Sequence, residues 1–370
     1  MKKKNDIIQI VSACAIALGF FVAFWALPDK DFSDKENRTL EQFPAFTLAE
    51  DKGGGWAFTS AVGKYFADQF PLRDFFVGTK AYCELALGRL ENNDVIMASV
   101  GTLVPHADWS EAKLERNLRS VSVYAEAKDI PVTLACLPRP CDVFADRLPA
   151  VYDGTGDREV WEKYTELCKK YSLDDAGMYS LFTENGEYYR TDHHYTTDGA
   201  YSAYCALGGI LGYTPYPEDF FDRQTVSFDF EGTSMRMSGF YLTKKDGIVL
   251  YRYDGDDTYE VNADGEKISL YDFDKLNTTD KYAVFLGGNH ARVDITSGTS
   301  DTSRQRLLLV RDSYADAVAP FLALHYDLTL IDPRYYTKSI QSECDCDAAL
   351  IYMGMNELSG GVSLGYLEMP

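Results

Sequence analysis

Positive charge is scarce in this chain. Its 370 residues carry 36 Lys and Arg against 57 Asp and Glu, a formal net charge of -21. A surface this acidic repels phosphate backbones, which argues against nucleic acid as a partner. No glycine-rich loop is followed by Lys and Ser or Thr, so no phosphate-cradling loop is encoded. Histidine is rarer still, with His106, His193, His194, His290 and His325 making up the whole set. None of the eight cysteines stands at a zinc-knuckle spacing from a histidine. Cys136 and Cys141 are the pair to test for a disulfide; buried free thiols are the plainer reading for most of the others. Repeats and low-complexity stretches are lacking, and after the first 27 residues no apolar run is long enough to cross a bilayer.

What is present starts at the N-terminus. Met1-Lys2-Lys3-Lys4 precedes an apolar run from Ile7 to Leu27 in which Gln9 is the one sizeable polar residue. At about 1.5 Å per residue the run can cross a hydrocarbon core of about 30 Å. It ends Trp25-Ala26-Leu27-Pro28, without a small-x-small cleavage pair. The segment therefore reads as a single-pass signal anchor, with its lysines cytoplasmic and the bulk of the chain extracellular. The expected organisation is a tail and anchor over 1–28, a juxtamembrane linker over 29–55 that docks onto the domain, and one extracytoplasmic domain over 56–370. Aromatic residues make up 14% of the chain, which argues against disorder.

The domain alternates helical and strand-like segments. Helical periodicity covers Glu111 to Lys128, Asp157 to Tyr171, Thr197 to Leu211 and Ala315 to Leu324. Short apolar strands are expected at Pro131 to Leu137, Arg306 to Val310, Leu328 to Ile331 and Ala348 to Met353. Such alternation implies a mostly parallel sheet with helices on both faces. A β-rich insertion is expected over about 227–293. Ligands of such sheets bind beyond the carboxyl ends of the strands.

Three of those ends carry chemistry. Asp192-His193-His194 lies on a strand-to-helix loop, and Asp192 and His194, two apart, can emerge on one side. A carboxylate against an imidazole is what a general base needs; the same residues can also be a structural pair or, with His193, a metal site. His193 is expected to point the other way, as structural support. Ser313 follows an apolar strand directly and opens a helix, where it reads equally as nucleophile or N-cap. Its backbone N–H is positioned to face an oxyanion. Asn356 follows the strand at Ala348 to Met353 and can donate to the same oxyanion. Asp312 reads as a turn or capping residue.

The chain resembles the DHHW family, which is related to SGNH-hydrolase-like alginate O-acetylation proteins. The resemblance is carried by Glu36-Asn37-Arg38-Thr39-Leu40, Asp68-Gln69-Phe70-Pro71-Leu72-Arg73-Asp74, Asp192-His193-His194-Tyr195-Thr196, Gly287-Gly288-Asn289-His290, Asp312-Ser313-Tyr314 and Asp332-Pro333-Arg334-Tyr335-Tyr336. Tyr195 stands where the family name expects Trp. The resemblance implies an SGNH-hydrolase-like (flavodoxin-like) α/β fold and a triad in permuted order, with Asp192 orienting His194 and His194 activating Ser313. It implies acyl-ester transfer or hydrolysis on cell-envelope polysaccharide, without cofactor or metal, and a membrane-bound acyl-donor protein as a further partner. Arg334, Tyr195 and Asn289 are the expected substrate contacts. A non-catalytic polysaccharide-binding or assembly factor on the same scaffold is the competing expectation.

Overall fold

The computed structural model describes residues 2–33, 38–45, 54–106, 108–298 and 303–369. The chain falls into two units, one of residues 1–89 with 236–241 and one comprising the rest.

The first unit is built on three helices, α1 (Lys2–Ala26), α2 (Gly54–Asp68) and α3 (Arg73–Ala86). The apolar stretch of α1 is long enough to cross a membrane and is almost wholly exposed. Segments expected to link anchor and domain are pinned to the end of α2. Tyr65 donates its hydroxyl to Asp29, Gln69 Nε2 donates to the carbonyls of Lys30 and Glu41, and the Glu41 N–H donates to Asp68. Glu36 and Asn37 lie outside the described residues.

The second unit is organised by an eight-stranded sheet. Its strands are β1 (Val132–Leu137), β2 (Asp174–Asp175), β3 (Glu260–Ala263), β4 (Glu266–Ile268), β5 (Arg292–Thr296), β6 (Arg306–Arg311), β7 (Asp327–Ile331) and β8 (Ala348–Gly354). The spatial order is β4-β3-β5-β7-β6-β8-β1-β2. All pairings from β7 through β2 are parallel, and the three at the β4 edge are antiparallel. The strands of 260–296 thus extend the central sheet. The remainder of the β-rich stretch contributes a two-stranded ribbon of Asp222–Phe230 with Asp246–Arg252, and also holds a short helix and 3₁₀ turns.

Helices cover both faces, which explains why β6 and β8 are nearly continuous apolar runs. Leu134, Cys136, Leu308, Val310, Ile351 and Met353 pack with α4 (Glu111–Lys128) and α5 (Thr155–Lys170) on one side. Alternate residues Ala135, Leu137, Leu307, Leu309, Leu350 and Tyr352 pack with α6 (Met178–Asn185), α7 (Thr197–Leu211) and α8 (Ala315–Leu322) on the other. Each helix expected from periodicity forms within two residues of its expected bounds. The register aligns Val310 with both Ile331 and Ile351, and Gly354 with Leu137. One level of the sheet therefore delivers the loops after β1, β6, β7 and β8 together.

The loop after β8 is held from behind by α4. Buried Asn117 donates to the carbonyls of Leu358 and Val362 at 2.8 and 3.1 Å and accepts from the Leu364 N–H at 3.0 Å. An alanine there would leave three buried backbone groups without their partner, a loss of about 2–4 kcal/mol. Asn117→Ala should lower the urea midpoint accordingly; a midpoint equal to wild type would show that the bonds contribute nothing net.

Candidate functional site

The Asp-His-His run sits at the tip of a tight hairpin. Tyr188 bridges Tyr195 in antiparallel fashion, the Tyr189 N–H donates to the His194 carbonyl, and the Thr196 N–H donates to the Glu187 carbonyl. Thr196 then caps α7 by accepting from the Gly199 N–H at 3.2 Å. The tip is strapped by residues 232–235. Thr233 N–H donates to Asp192 Oδ2 at 2.6 Å, Gly232 N–H to Thr191 Oγ1 at 3.1 Å, and Met235 N–H to the Thr191 carbonyl at 3.0 Å.

Asp192 is buried, and its Oδ1 lies 2.5 Å from His194 Nδ1 and 3.0 Å from the His194 N–H. On the far side of the ring, His194 Nε2 lies 2.8 Å from Ser313 Oγ. Asp192, His194 and Ser313 thus form one hydrogen-bonded line across 119 residues of sequence separating histidine from serine. Burial alone would raise the Asp192 carboxyl. The positive charge of His193 and His194, the His194 hydrogen bond and the Thr233 N–H hold it well below the usual carboxylate range. Tyr282 stacks on His194, with centroids 4.0 Å apart and planes 10° apart, fixing the ring from its face.

Ser313 itself is positioned by Asp312. That buried carboxylate accepts from the Tyr314 N–H at 3.0 Å and from the Gly354 N–H at 2.7 Å, tying the end of β6 to the end of β8. Its expected role in the turn is met, and burial, opposed by Arg334, pushes its carboxyl up. Gly354 admits this approach because a Cβ there would come within 2.9 Å of the Tyr314 ring. Asn356 lies two residues further on, half-buried, where the chain leaves β8 for a helical turn over Glu357–Gly361.

Arg334 follows β7 and grips Asp332 through Nε and Nη2 at 2.9 and 2.6 Å. It also reaches Asn289, 3.4 Å away through Oδ1, and Glu357 at 3.9 Å, and lies over the Tyr335 ring at 5.5 Å. Arg334 and Asn289, both expected at the substrate surface, therefore come together, although the guanidinium is already paired. Tyr195 does not join them. It is fully buried, its ring stacks on Phe182, and its hydroxyl donates to the Tyr314 carbonyl and accepts from Tyr352. The expectation of a substrate contact is corrected: a side chain with no exposed surface supports the wall behind the serine. His193 likewise does not point away. Its ring lies 4.0 Å from that of His194, Nδ1 is 3.7 Å from Asp192, and a third of the side chain is exposed.

Beneath the serine lies a buried charge cluster. Arg311, fully buried, has Nη1 3.0 Å from Asp316 and 3.6 Å from Asp332, within ion-pair range but not aligned for hydrogen bonds. Burial pushes the Asp316 carboxyl up to about 7 against the pull of Arg311.

Two clusters among the described residues have the donor set for a metal. In Asp192, His193 and His194, both ring nitrogens of His194 are already committed, to Asp192 and to Ser313. In Cys141, Asp142 and Asp157, the buried Arg139 guanidinium fills the charge role by pairing with Asp142 at 3.0 Å and Asp157 at 2.9 Å. Among the described residues all eight cysteines are free, Cys136 and Cys141 included.

Sequence reasoning missed Thr233, Gly232 and Tyr282. None carries a signal in the chain itself: a backbone N–H is encoded by every residue, and Tyr282 is one of 26 tyrosines.

The class defined by this architecture is a mixed α/β fold whose large, mostly parallel sheet carries these loops at its carboxyl edge. Within it, residues 166–331 match the family described as DHHW protein. The structure of a DHHW family protein from Eubacterium siraeum superimposes with a TM-score of 0.60 at 18% identity, covering 75% of this chain and 96% of that one. Bacillus cereus PatB1, solved with a sulfonyl adduct, gives 0.57 at 17%, covering 72% and 95%. The O-acetyltransferase domain of Pseudomonas putida AlgJ gives 0.48 at 12%, covering 71% and 91%. At these identities the likeness of the first two establishes a shared fold. No protein of curated function matches the sequence.

A Cβ at Gly232 would lie 2.4 Å from both Asp192 Cβ and the Thr191 carbonyl. Gly232→Ala should therefore cost about 1–3 kcal/mol of stability through overpacking, read from denaturant midpoints. Burial, reinforced by the charge of His194, lowers His193 to about 4, with water at its exposed edge tempering the effect. The unfolded chain takes up this proton near the ordinary value of about 6.5, so it binds more protons than the native state between roughly 6.5 and 4. Stability should fall as pH drops through that window. Asp316 contributes with the opposite sign, so the comparison of wild type with His193→Gln isolates the histidine. The variant's melting temperature should fall less steeply, and parallel curves would contradict the assignment.

Proposed function

We propose that the protein is a membrane-anchored, extracytoplasmic serine acyltransferase or acetylesterase acting on O-acetyl groups of cell-envelope polysaccharide. The observation that carries the reading is the line Asp192–His194–Ser313, with contacts of 2.5 and 2.8 Å. In this reading His194 Nε2 takes the Ser313 proton as Oγ attacks the ester carbonyl. Asp192, kept ionised by its donors, holds Nδ1–H and stabilises the imidazolium. The Ser313 N–H and the Asn356 side chain serve as oxyanion donors. Collapse of the tetrahedral intermediate expels the alcohol, which receives its proton from His194, and leaves an acetyl group on Ser313. A sugar hydroxyl or water, deprotonated by His194, then attacks the acyl-enzyme and regenerates the serine.

The choice of acetyl and polysaccharide rests on the DHHW resemblance and its SGNH-like relatives rather than on the site alone. Arg334 and Asn289, side by side at the rim, are the proposed sugar contacts. A membrane-bound protein is the proposed acyl donor, and α1 is the proposed anchor that keeps the site outside the cell. A non-catalytic binding role finds less support, because His194 already stands within proton-transfer reach of Ser313.

The test uses the full chain in detergent with p-nitrophenyl acetate. Wild type should accumulate or turn over an acetyl adduct on Ser313, and Ser313→Ala should form none while keeping its fold. Asp192→Asn should reduce turnover by about 10⁴-fold, the effect of misorienting the base in a triad. Phenylmethylsulfonyl fluoride should add its sulfonyl mass to Ser313 in wild type. Equal turnover by wild type and Ser313→Ala would reject the proposal.

A further inference from the structure

The first unit carries an apolar tip. Between α2 and α3 the chain turns through Gln69-Phe70-Pro71-Leu72. Leu72 and Phe75 are 68% and 65% exposed, and Phe66, Phe70 and Phe76 are each about two-fifths exposed. Single exposed apolar side chains are ordinary, but five within residues 66–76 form a patch of the kind that marks an interaction surface. Leu72 moreover holds φ 58°, ψ 30°, a left-handed conformation that leucine ordinarily avoids.

The patch is continuous with α1. Phe20 stacks on Phe70 with centroids 5.4 Å apart and meets Phe76 edge-on at 5.6 Å, while Phe24 stacks on Phe66 at 4.9 Å. Phe20 precedes Leu27 by seven residues, which at 1.5 Å per residue places it about 10 Å inside the apolar stretch. Side chains that touch Phe20 share that depth. Polar groups at the end of α2 and at the start of the turn engage the residues after the end of α1: Tyr65 reaches Asp29, Gln69 reaches Lys30, and Asp68 accepts from Glu41. Apolar groups toward the middle of α1 and polar groups at its end match the boundary between acyl chains and headgroups. Arg73 is paired with Asp68 at 3.6 Å and lies 3.8 Å from Asp74, so the turn offers no basic cluster for anionic headgroups.

We propose that the α2–α3 turn is a second membrane contact, seated among outer-leaflet acyl chains through Phe66, Phe70, Leu72, Phe75 and Phe76. This rests on the reading of α1 as an anchor, and the partner is the hydrocarbon of the lipid bilayer. Insertion of the turn makes the anchor a wedge rather than a freely swivelling rod, because the segment after α1 is tied to the same turn.

The experiment places single cysteines in the full chain, with exposed Cys14 and Cys83 replaced by alanine and the parent protein setting the labelling background. Leu72→Cys, Phe75→Cys, Leu87→Cys and Phe21→Cys are labelled with an environment-sensitive fluorophore and reconstituted in phosphatidylcholine vesicles. Labels at 72 and 75 should lose fluorescence to doxyl lipids, as the label at 21 does, and resist aqueous iodide. The label at 87, at the opposite end of α3, should respond to iodide. Iodide quenching at 72 and 75 with lipid quenching at 21 would overturn the wedge and leave the anchor standing. Iodide quenching at 21 as well would overturn both. Protection of 72 and 75 from both quenchers would mean that protein covers the turn, and would also overturn the proposal.

Discussion

A carboxylate buried as completely as Asp192 is stable only if donors surround it, and the site is arranged around meeting that requirement. One donor is the imidazole that the carboxylate orients, a second is the N–H of the same histidine, and a third is the Thr233 N–H, delivered by a strap 41 residues away in sequence. The hairpin that displays the carboxylate is closed by Tyr188 and Tyr195, and its tip is fixed again by Asp246, which accepts from Thr191. Removing any one of these donors raises the cost of the charge, so hairpin, strap and imidazole hold one another in place.

The serine is positioned by a comparable economy of carboxylates. Asp312 ties β6 to β8 through two backbone N–H groups, and Asp332 fixes Arg334 at the end of β7. Below them, Arg311 stands between Asp316 and Asp332 in a fully buried setting. Such clusters contribute less to net stability than their short distances suggest, because desolvation offsets much of the attraction. Their effect here is geometric: the parallel register brings the strand ends level, and the cluster fixes how the loops leave them.

Local signals in the sequence account for the elements. Period-3.6 apolar spacing located α4, α5 and α7, and apolar runs bounded by turn residues located β1, β6, β7 and β8, because each element buries a face or two whose pattern is written within a few residues. The Asp-x-His spacing and the strand-to-Ser transition were legible for the same reason. Tyr195 and His193 were misjudged because burial depends on what packs from elsewhere: Phe182 and Tyr314 enclose the one, and an open rim receives the other.

The sequence by itself determined the class of the fold, the apolar N-terminal helix and the three residue types able to form an acid–base–nucleophile line. Those properties follow from period, length and side-chain chemistry, all of which are local. Only the tertiary structure decided that His194 meets Ser313, that Tyr282 clamps the imidazole and that Thr233 completes the shell of Asp192. It also decided that the antiparallel strands of 260–296 join the main sheet instead of standing apart. Each of these joins groups tens of residues apart, and chain closure over such distances is set by the packing of both sheet faces rather than by any short stretch of sequence.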